Sequence, residues 1–215
     1  MTSGAGTSGA SAPPRRRLLL ASRNRGKLVE LRRILDAALG QQTIELVGLD
    51  DVPAYQELPE TGLTFAENAL DKAREGARQT GLATVADDSG LAVEALNGMP
   101  GVFSARWSGR HGDDDANLRL LLNQLGDVPD EHLAAGFVCA AALVAPDTGE
   151  HVVEGRVDGV LVRAPRGEHG FGYDPIFVPA GETLTTAELS PERKDQISHR
   201  GQAFRALAKV IAAEL

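Results

Sequence analysis

Residues 82–96 read LATVADDSGLAVEAL, two apolar runs on either side of Asp87-Asp88-Ser89-Gly90. Each run has the length and composition of a buried strand. The four residues between them are turn formers, because Asp hydrogen-bonds its own backbone and Gly tolerates positive φ. The spacing therefore predicts a strand over 82–87 and a turn at DDSG, with 91–96 alternating or continuing the strand. In open α/β sheets ligands gather at the carboxyl ends of strands. Adjacent strand residues point to opposite faces, so one of these carboxylates can face a site while its neighbour supports the strand end.

Toward the N-terminus, RLLLAS (17–22) reads as a short buried strand and KLVELRRILDAAL (27–39) as a helix. TIELVGL (43–49) is a further strand, followed by a loop and a helix over 64–81. That helix is capped by Thr64 with Glu67 three residues on, and stopped by Gly81. Toward the C-terminus, 113–127 is a helix that begins with acids, and the runs 134–146 and 151–165 form an antiparallel pair. A glycine-rich loop, RGEHGFGYDPIFVP (166–179), and a terminal helix over 199–215 complete the chain. Helices alternating with strands early and a hairpin later imply an α/β fold with a mixed sheet. Residues 1–15, rich in Gly, Ser, Ala and Thr, read as a disordered tail. Residues 16–215 contain no repeat and no linker, and read as a single domain.

The 215 residues carry 22 basic and 30 acidic side chains, a formal charge of −8. This balance disfavours non-specific binding to nucleic acid or an anionic membrane, and a solubilising edge is the better reading of Arg15 to Arg17. No apolar stretch approaches the roughly 20 residues that span a bilayer, and LLLA after Arg17 is too short for a signal peptide. The one cysteine, Cys139, cannot form an internal disulfide, which fits a reducing cytoplasm.

Four constellations could carry chemistry. In Ser22-Arg23-Asn24-Arg25-Gly26-Lys27 a strand gives way to a helix. Free N–H groups at such a turn favour an anion, although a capped turn with solvated cations has the same composition. It is not a Walker A loop, which needs a second glycine and a Lys-Ser/Thr pair. Glu60 in a loop and Lys72 among acids read by themselves as a turn carboxylate and a surface ion pair. Phe171, Gly172, Tyr173 and Asp174 offer either a stacking face for a base or ordinary core packing. Lys194, His199 and Arg200 precede the last helix as donors or as a basic loop. The acids beside His111 (113–115) read as a helix start rather than a metal cluster. No GxSxG, HExxH or CxxC is present.

The order SxNxxK, ETGxTFxENAxxKA, ADDSGL, PGVFSARWSG, GFGYDPIF and SxxxKxxxSHRGxA resembles the inosine triphosphatase-like purine nucleoside triphosphate pyrophosphatases, which act on dITP, ITP and XTP. The resemblance covers nearly all of residues 17–213. It implies a long, twisted mixed sheet with a cleft between two lobes, a homodimer, and Mg²⁺-dependent hydrolysis between the α- and β-phosphates. It further implies that Ser22 to Lys27 form the triphosphate loop, with Lys72 a further phosphate contact. Glu60 and Asp88 would hold Mg²⁺, and Asp88 would activate water. Ser89 would touch substrate, Phe171 to Asp174 would hold the base, and Lys194, His199 and Arg200 would close on base and phosphates.

A 6-keto purine presents an acceptor where adenine presents an amino donor, so arginine and backbone donors around O6 would reject adenine. Three other readings stand beside this one. A septum-formation-type pyrophosphatase would prefer modified pyrimidines, against which the SHRG and GFGYDP segments argue. A nucleotide sensor would bind without cleaving, and an interaction protein would need none of these polar residues.

Overall fold

The computed structural model describes residues 16–39, 44–56, 58–146 and 148–215. The expected tail over 1–15 and Arg15 lie outside the described residues. Six strands form one sheet in the order β2-β1-β3-β4-β5-β6. They are β1 (Arg16–Leu20), β2 (Ile44–Gly48), β3 (Ala83–Val93), β4 (Ala134–Ala145), β5 (Gly149–Leu161) and β6 (Phe177–Pro179). β1 pairs in parallel with β2 and β3, and every pairing from β3 to β6 is antiparallel. The expected α/β mixed sheet is therefore present, with its parallel part at one edge. The apolar Leu18-Leu19-Leu20 of β1 is buried throughout, as a parallel strand covered on both faces requires.

Helices α1 (Arg25–Leu39), α2 (Phe65–Thr80), α3 (Asp114–Gln124), α4 (Pro191–Ile197) and α5 (His199–Glu214) flank this sheet. Leu31, Ile34 and Leu35 of α1 pack with Phe204, Leu207 and Ile211 of α5 on the face that carries Val85, Cys139, Ala141 and Leu143. On the opposite face, Ala69 and Ala73 of α2 meet Ala86, Ala140 and Ala142, small side chains that let helix and sheet approach closely. A separate core, built from Leu91, Val93, Leu118, Leu121, Phe137 and Phe177, surrounds the far ends of β3 and β4. The long antiparallel strands thus run from one lobe into the other. α2 begins at the predicted Thr64–Glu67 capping box and ends at Gly81, whose φ is 68°.

The structure corrects the reading of residues 82–96. There is no turn at DDSG: β3 is one strand of 11 residues that passes straight through it. Gly90 does not adopt positive φ. It is required for a different reason, since a Cβ there would overlap the Ser104 hydroxyl and the Gly101 carbonyl. The Leu91 amide donates to the same hydroxyl at 2.9 Å. Smaller differences are that α1 opens at Arg25 rather than Lys27, and α3 stops at Gln124. The segments expected to be loops contain β6 and α4.

Candidate active site

The pairing of β1 with β3 ends at Leu20–Val85, whereas β4 stays paired with β3 as far as Val93. Beyond Val85, the edge of β3 that faced β1 is open, and a cavity of about 410 Å³ lies there. This geometry lets two oppositely facing side chains, Asp87 and Asp88, line the same cavity. The residues singled out in the sequence converge on it from four directions. Ser22, Arg23, Asn24 and Lys27 come from the β1–α1 turn, Glu60 from the loop before α2, and Lys72 from α2. Phe171 to Asp174 come from the glycine-rich loop, and Lys194, His199 and Arg200 from α4 and α5. The Arg25 side chain lies outside the described residues. Gly26 is placed against Phe171, whose Cδ1 would lie 3.1 Å from an added Cβ.

Asn24 explains the early start of α1. Its Oδ1 accepts from the Lys27 amide at 3.0 Å and its carbonyl accepts from Leu28, so Asn24 caps the helix. The cap aims the Lys27 side chain across the open edge, where its Nζ lies 3.1 Å from Asp87 Oδ2. Asp87 also faces Arg200 Nε at 3.5 Å. Burial raises its carboxyl pKa, but Lys27 and Arg200 outweigh burial and hold it well below the usual carboxylate range. Arg200 is buried as well, pairing with Glu30 of α1 and donating to Ser89 Oγ at 2.8 Å. Asp87 is thus the centre of a buried charge network rather than a plain support for a strand end.

Asp88 faces α2. Asn68 Nδ2 donates to its Oδ2 at 3.0 Å, and Lys72 Nζ to its Oδ1 at 3.2 Å. Lys72 Nζ also donates to the Asp87 carbonyl at 3.2 Å and pairs with Glu60 Oε1 at 2.5 Å. All three of its N–H groups are matched by these acceptors. Burial raises the Asp88 pKa and Lys72 does not fully reverse that, so the carboxyl stays above its ordinary value. Burial acts the same way on Glu60, but Lys72 and Arg106 prevail and lower it. Arg106 holds Glu60 through Oε2 at 2.8 Å and the backbone carbonyl at 3.3 Å. Glu60 and Asp88 therefore present two carboxylate oxygens to one cation position, now taken by an ammonium. Hard oxygen donors converging in this way fit Mg²⁺, which takes one or two carboxylates and completes its shell with phosphate and water.

The glycine-rich loop is held from beneath. Asp174 is buried, accepts from the Phe171 amide at 2.9 Å and pairs with Lys194 Nζ at 2.6 Å. Tyr173 is packed into the far core, where its hydroxyl donates to the Ser104 carbonyl at 2.9 Å. The Gly172 amide donates to Asp114 Oδ2 at 2.9 Å. The amides of Phe171 and Gly172, natural candidates for donors to a base, are thus engaged within the protein. The Phe171 ring remains half-buried, with Lys194 Nζ and Arg200 Cζ each 5.4 Å from its centroid. His199 stacks on Phe137 at 4.8 Å, and burial first, then Arg200 and Lys194, hold its pKa well below the ordinary value. Its Nδ1 has no hydrogen-bond partner.

Sequence reasoning missed Glu30, Asn68, Ser104, Arg106 and Asp114, all of which touch candidate site residues. Glu30 carried a signal, since it falls on the same helical stripe as Ile34 and the adjacent Leu31, where an apolar residue is expected. Among the described residues, no cluster of three or more His, Cys, Asp or Glu could hold a metal by itself, the acids beside His111 included.

Comparison with known proteins identifies the family. The Ham1 family model matches residues 18–210. A dITP/XTP pyrophosphatase of Nocardia farcinica is 64% identical over 92% of this chain and 95% of its own length. A crystal structure of a nucleoside-triphosphatase / dITP/XTP pyrophosphatase from Mycobacterium abscessus is 62% identical and covers 89% of this chain and 98% of its own, with a TM-score of 0.73. The Staphylococcus aureus Ham1 protein is 38% identical, covers 93% of this chain and 100% of its own, and superposes with a TM-score of 0.80. With a family model spanning both lobes and relatives matched over almost their whole length, the chain belongs to the Ham1 family.

Proposed function

We propose that this chain is a nucleoside triphosphate pyrophosphatase that hydrolyses dITP, ITP and XTP to the monophosphate and pyrophosphate, clearing them before they enter DNA or RNA. The observation that carries this reading is the Glu60–Lys72–Asp88 cluster in one cavity with the Asn24-capped turn and the Phe171 loop. Relatives more than 60% identical bear the name dITP/XTP pyrophosphatase, which supports the same substrate class.

In this reading the β1–α1 turn receives the triphosphate, with Ser22, Asn24 and Lys27 as its contacts and Arg23 and Arg25 as additional cations. Glu60 and Asp88 would hold Mg²⁺, which would supply positive charge to the leaving pyrophosphate. Asp88, whose carboxylate lines the cavity between Asn68 and Lys72, would accept the proton of the attacking water. Lys72 exchanges its carboxylate partners for phosphate oxygens. The base lies against Phe171, and Lys194, His199 and Arg200 surround it. Lys194 is placed to donate to a 6-keto oxygen with an N–H beyond the one it gives Asp174, and an adenine amino group there would meet that donor with another donor. The enzyme acts as a homodimer in the cytoplasm, with residues 16–215 as its single domain and without nucleic-acid or membrane partners. Among the described residues, no helix is long and apolar enough to cross a membrane.

A panel of nucleoside triphosphates assayed for pyrophosphate release, with and without Mg²⁺, tests the reading. Rapid release from dITP and XTP, slow release from dATP and dTTP, and loss of all release in chelator are expected. Preference for dTTP would point to the pyrimidine-directed class, and binding without release at saturating dITP would make the protein a sensor.

A further inference from the structure

Lys194 projects into the cleft from α4, which has only seven residues. A helix of two turns has no stability of its own, because nucleation costs more than so few hydrogen bonds return. Its place must be set by what grips it. On the cleft side, Lys194 pairs with Asp174 and lies against the Phe171 ring. The next residue, Asp195, turns away from the cleft and meets α1. Arg33 binds both of its carboxylate oxygens, Nε to Oδ2 and a terminal nitrogen to Oδ1 at 2.7 Å. Arg205 of α5 donates to the Asp195 carbonyl at 2.6 Å and to the Gln196 carbonyl at 2.8 Å, and so closes the end of α4. Gly201 completes the grip, since a Cβ there would overlap the Asp195 carbonyl.

We propose that Arg33 and Asp195 are positioning residues for the proposed reaction: their two-point ion pair fixes Lys194, on the base side of the cleft, relative to α1, whose first turn holds the phosphate side. The inference rests on the proposed function. Arg33 lies about two turns beyond Lys27 on α1, the helix that Asn24 caps, so the pair ties both ends of the substrate to one rigid rod. Two-point Arg–carboxylate pairs define orientation as well as distance, which one lysine–carboxylate contact does not. Asp195 keeps 13% of its side-chain surface exposed and Arg33 38%, so the pair is shielded enough to hold without being a buried charge the fold depends on.

The test is steady-state kinetics on dITP for Asp195→Ala, Arg33→Ala and Arg33→Lys, each alone and with Lys194→Met. Either alanine variant is expected to raise KM about tenfold while kcat stays within about threefold, with Tm close to wild type. Arg33→Lys is expected to recover part of the KM, since it restores charge without the second contact. In the Lys194→Met background, Asp195→Ala is expected to change KM less than about twofold, because the group it positions is gone. An unchanged KM in both alanine variants overturns the inference, as does an effect fully additive with Lys194→Met, or a joint loss of kcat and Tm. Failure of the wild-type protein to hydrolyse dITP overturns the proposed function and this inference with it. Wild-type hydrolysis with indifferent variants overturns the inference alone.

Discussion

Asp87 and Asp88 are neighbours in one strand, exposed by only 3% and 6%, yet their surroundings drive them in opposite directions. On the α1/α5 face, Asp87 meets Lys27 and Arg200 and is held ionised. On the α2 face, Asp88 is deeply buried, shares the Lys72 ammonium with Glu60 and feels Lys27 only at a distance, so that burial, helped by the like charge of Glu60, works against its ionisation. Burial penalises both charged forms; the number of cations, and how they are shared, decides which penalty is repaid. One face of the strand thus holds a settled charge network, and the other holds a carboxylate still available to a proton or a cation.

This contrast can be broken first through stability. Asp87→Asn is expected to cost about 3 kcal/mol, because it strips a counter-charge from Lys27 and Arg200 in the interior. Asp88→Asn should stay within about 1 kcal/mol of wild type, since burial of that charge is poorly repaid. Denaturant unfolding of the two variants side by side checks this, and equal losses would erase the distinction. Next in size is Gly90→Ala at about 1–3 kcal/mol, from crowding against Ser104 and Gly101. If Gly90 served a turn instead, alanine would be tolerated wherever φ is negative, and the same unfolding experiment separates the two.

His199 supplies a smaller, pH-dependent term. Its folded pKa lies well below its ordinary value of about 6.5. Above that value both states are neutral there and nothing is lost. Below it the unfolded chain takes up a proton that the fold refuses, so stability declines as pH falls, by at most about 1.4 kcal/mol per pH unit. Unfolding at pH 7.5 and 5.5 should show this slope, and His199→Gln should reduce it. An unchanged slope would place the proton elsewhere.

Much of this architecture was legible in the sequence because local and tertiary demands agree. Thr64, Glu67 and Gly81 bound α2 with ordinary capping chemistry, and the runs around Phe137 and Val157 pair as their patterning predicts. DDSG was misread because two aspartates and a glycine in a central strand contradict propensity. Only the cations brought from α1, α2 and α5, and the close approach of Gly101–Arg106, reverse that preference. α4 was invisible for a related reason, since seven residues carry too little periodicity and the grip of Arg33 and Arg205 comes from other elements. Glu30 could have been found as an acid on an apolar stripe. Asn68, Arg106 and Asp114 sit at positions where polar residues are ordinary, and only their partners distinguish them.

The direct test of the central claim is to measure Asp88→Asn and Asp87→Asn together for dITP turnover and for equilibrium dITP binding in Mg²⁺. Asp88→Asn is expected to lose about 10²- to 10⁴-fold in kcat while remaining folded and still binding nucleotide. Near-normal turnover by Asp88→Asn, with the loss falling on Asp87→Asn alone, would contradict the account.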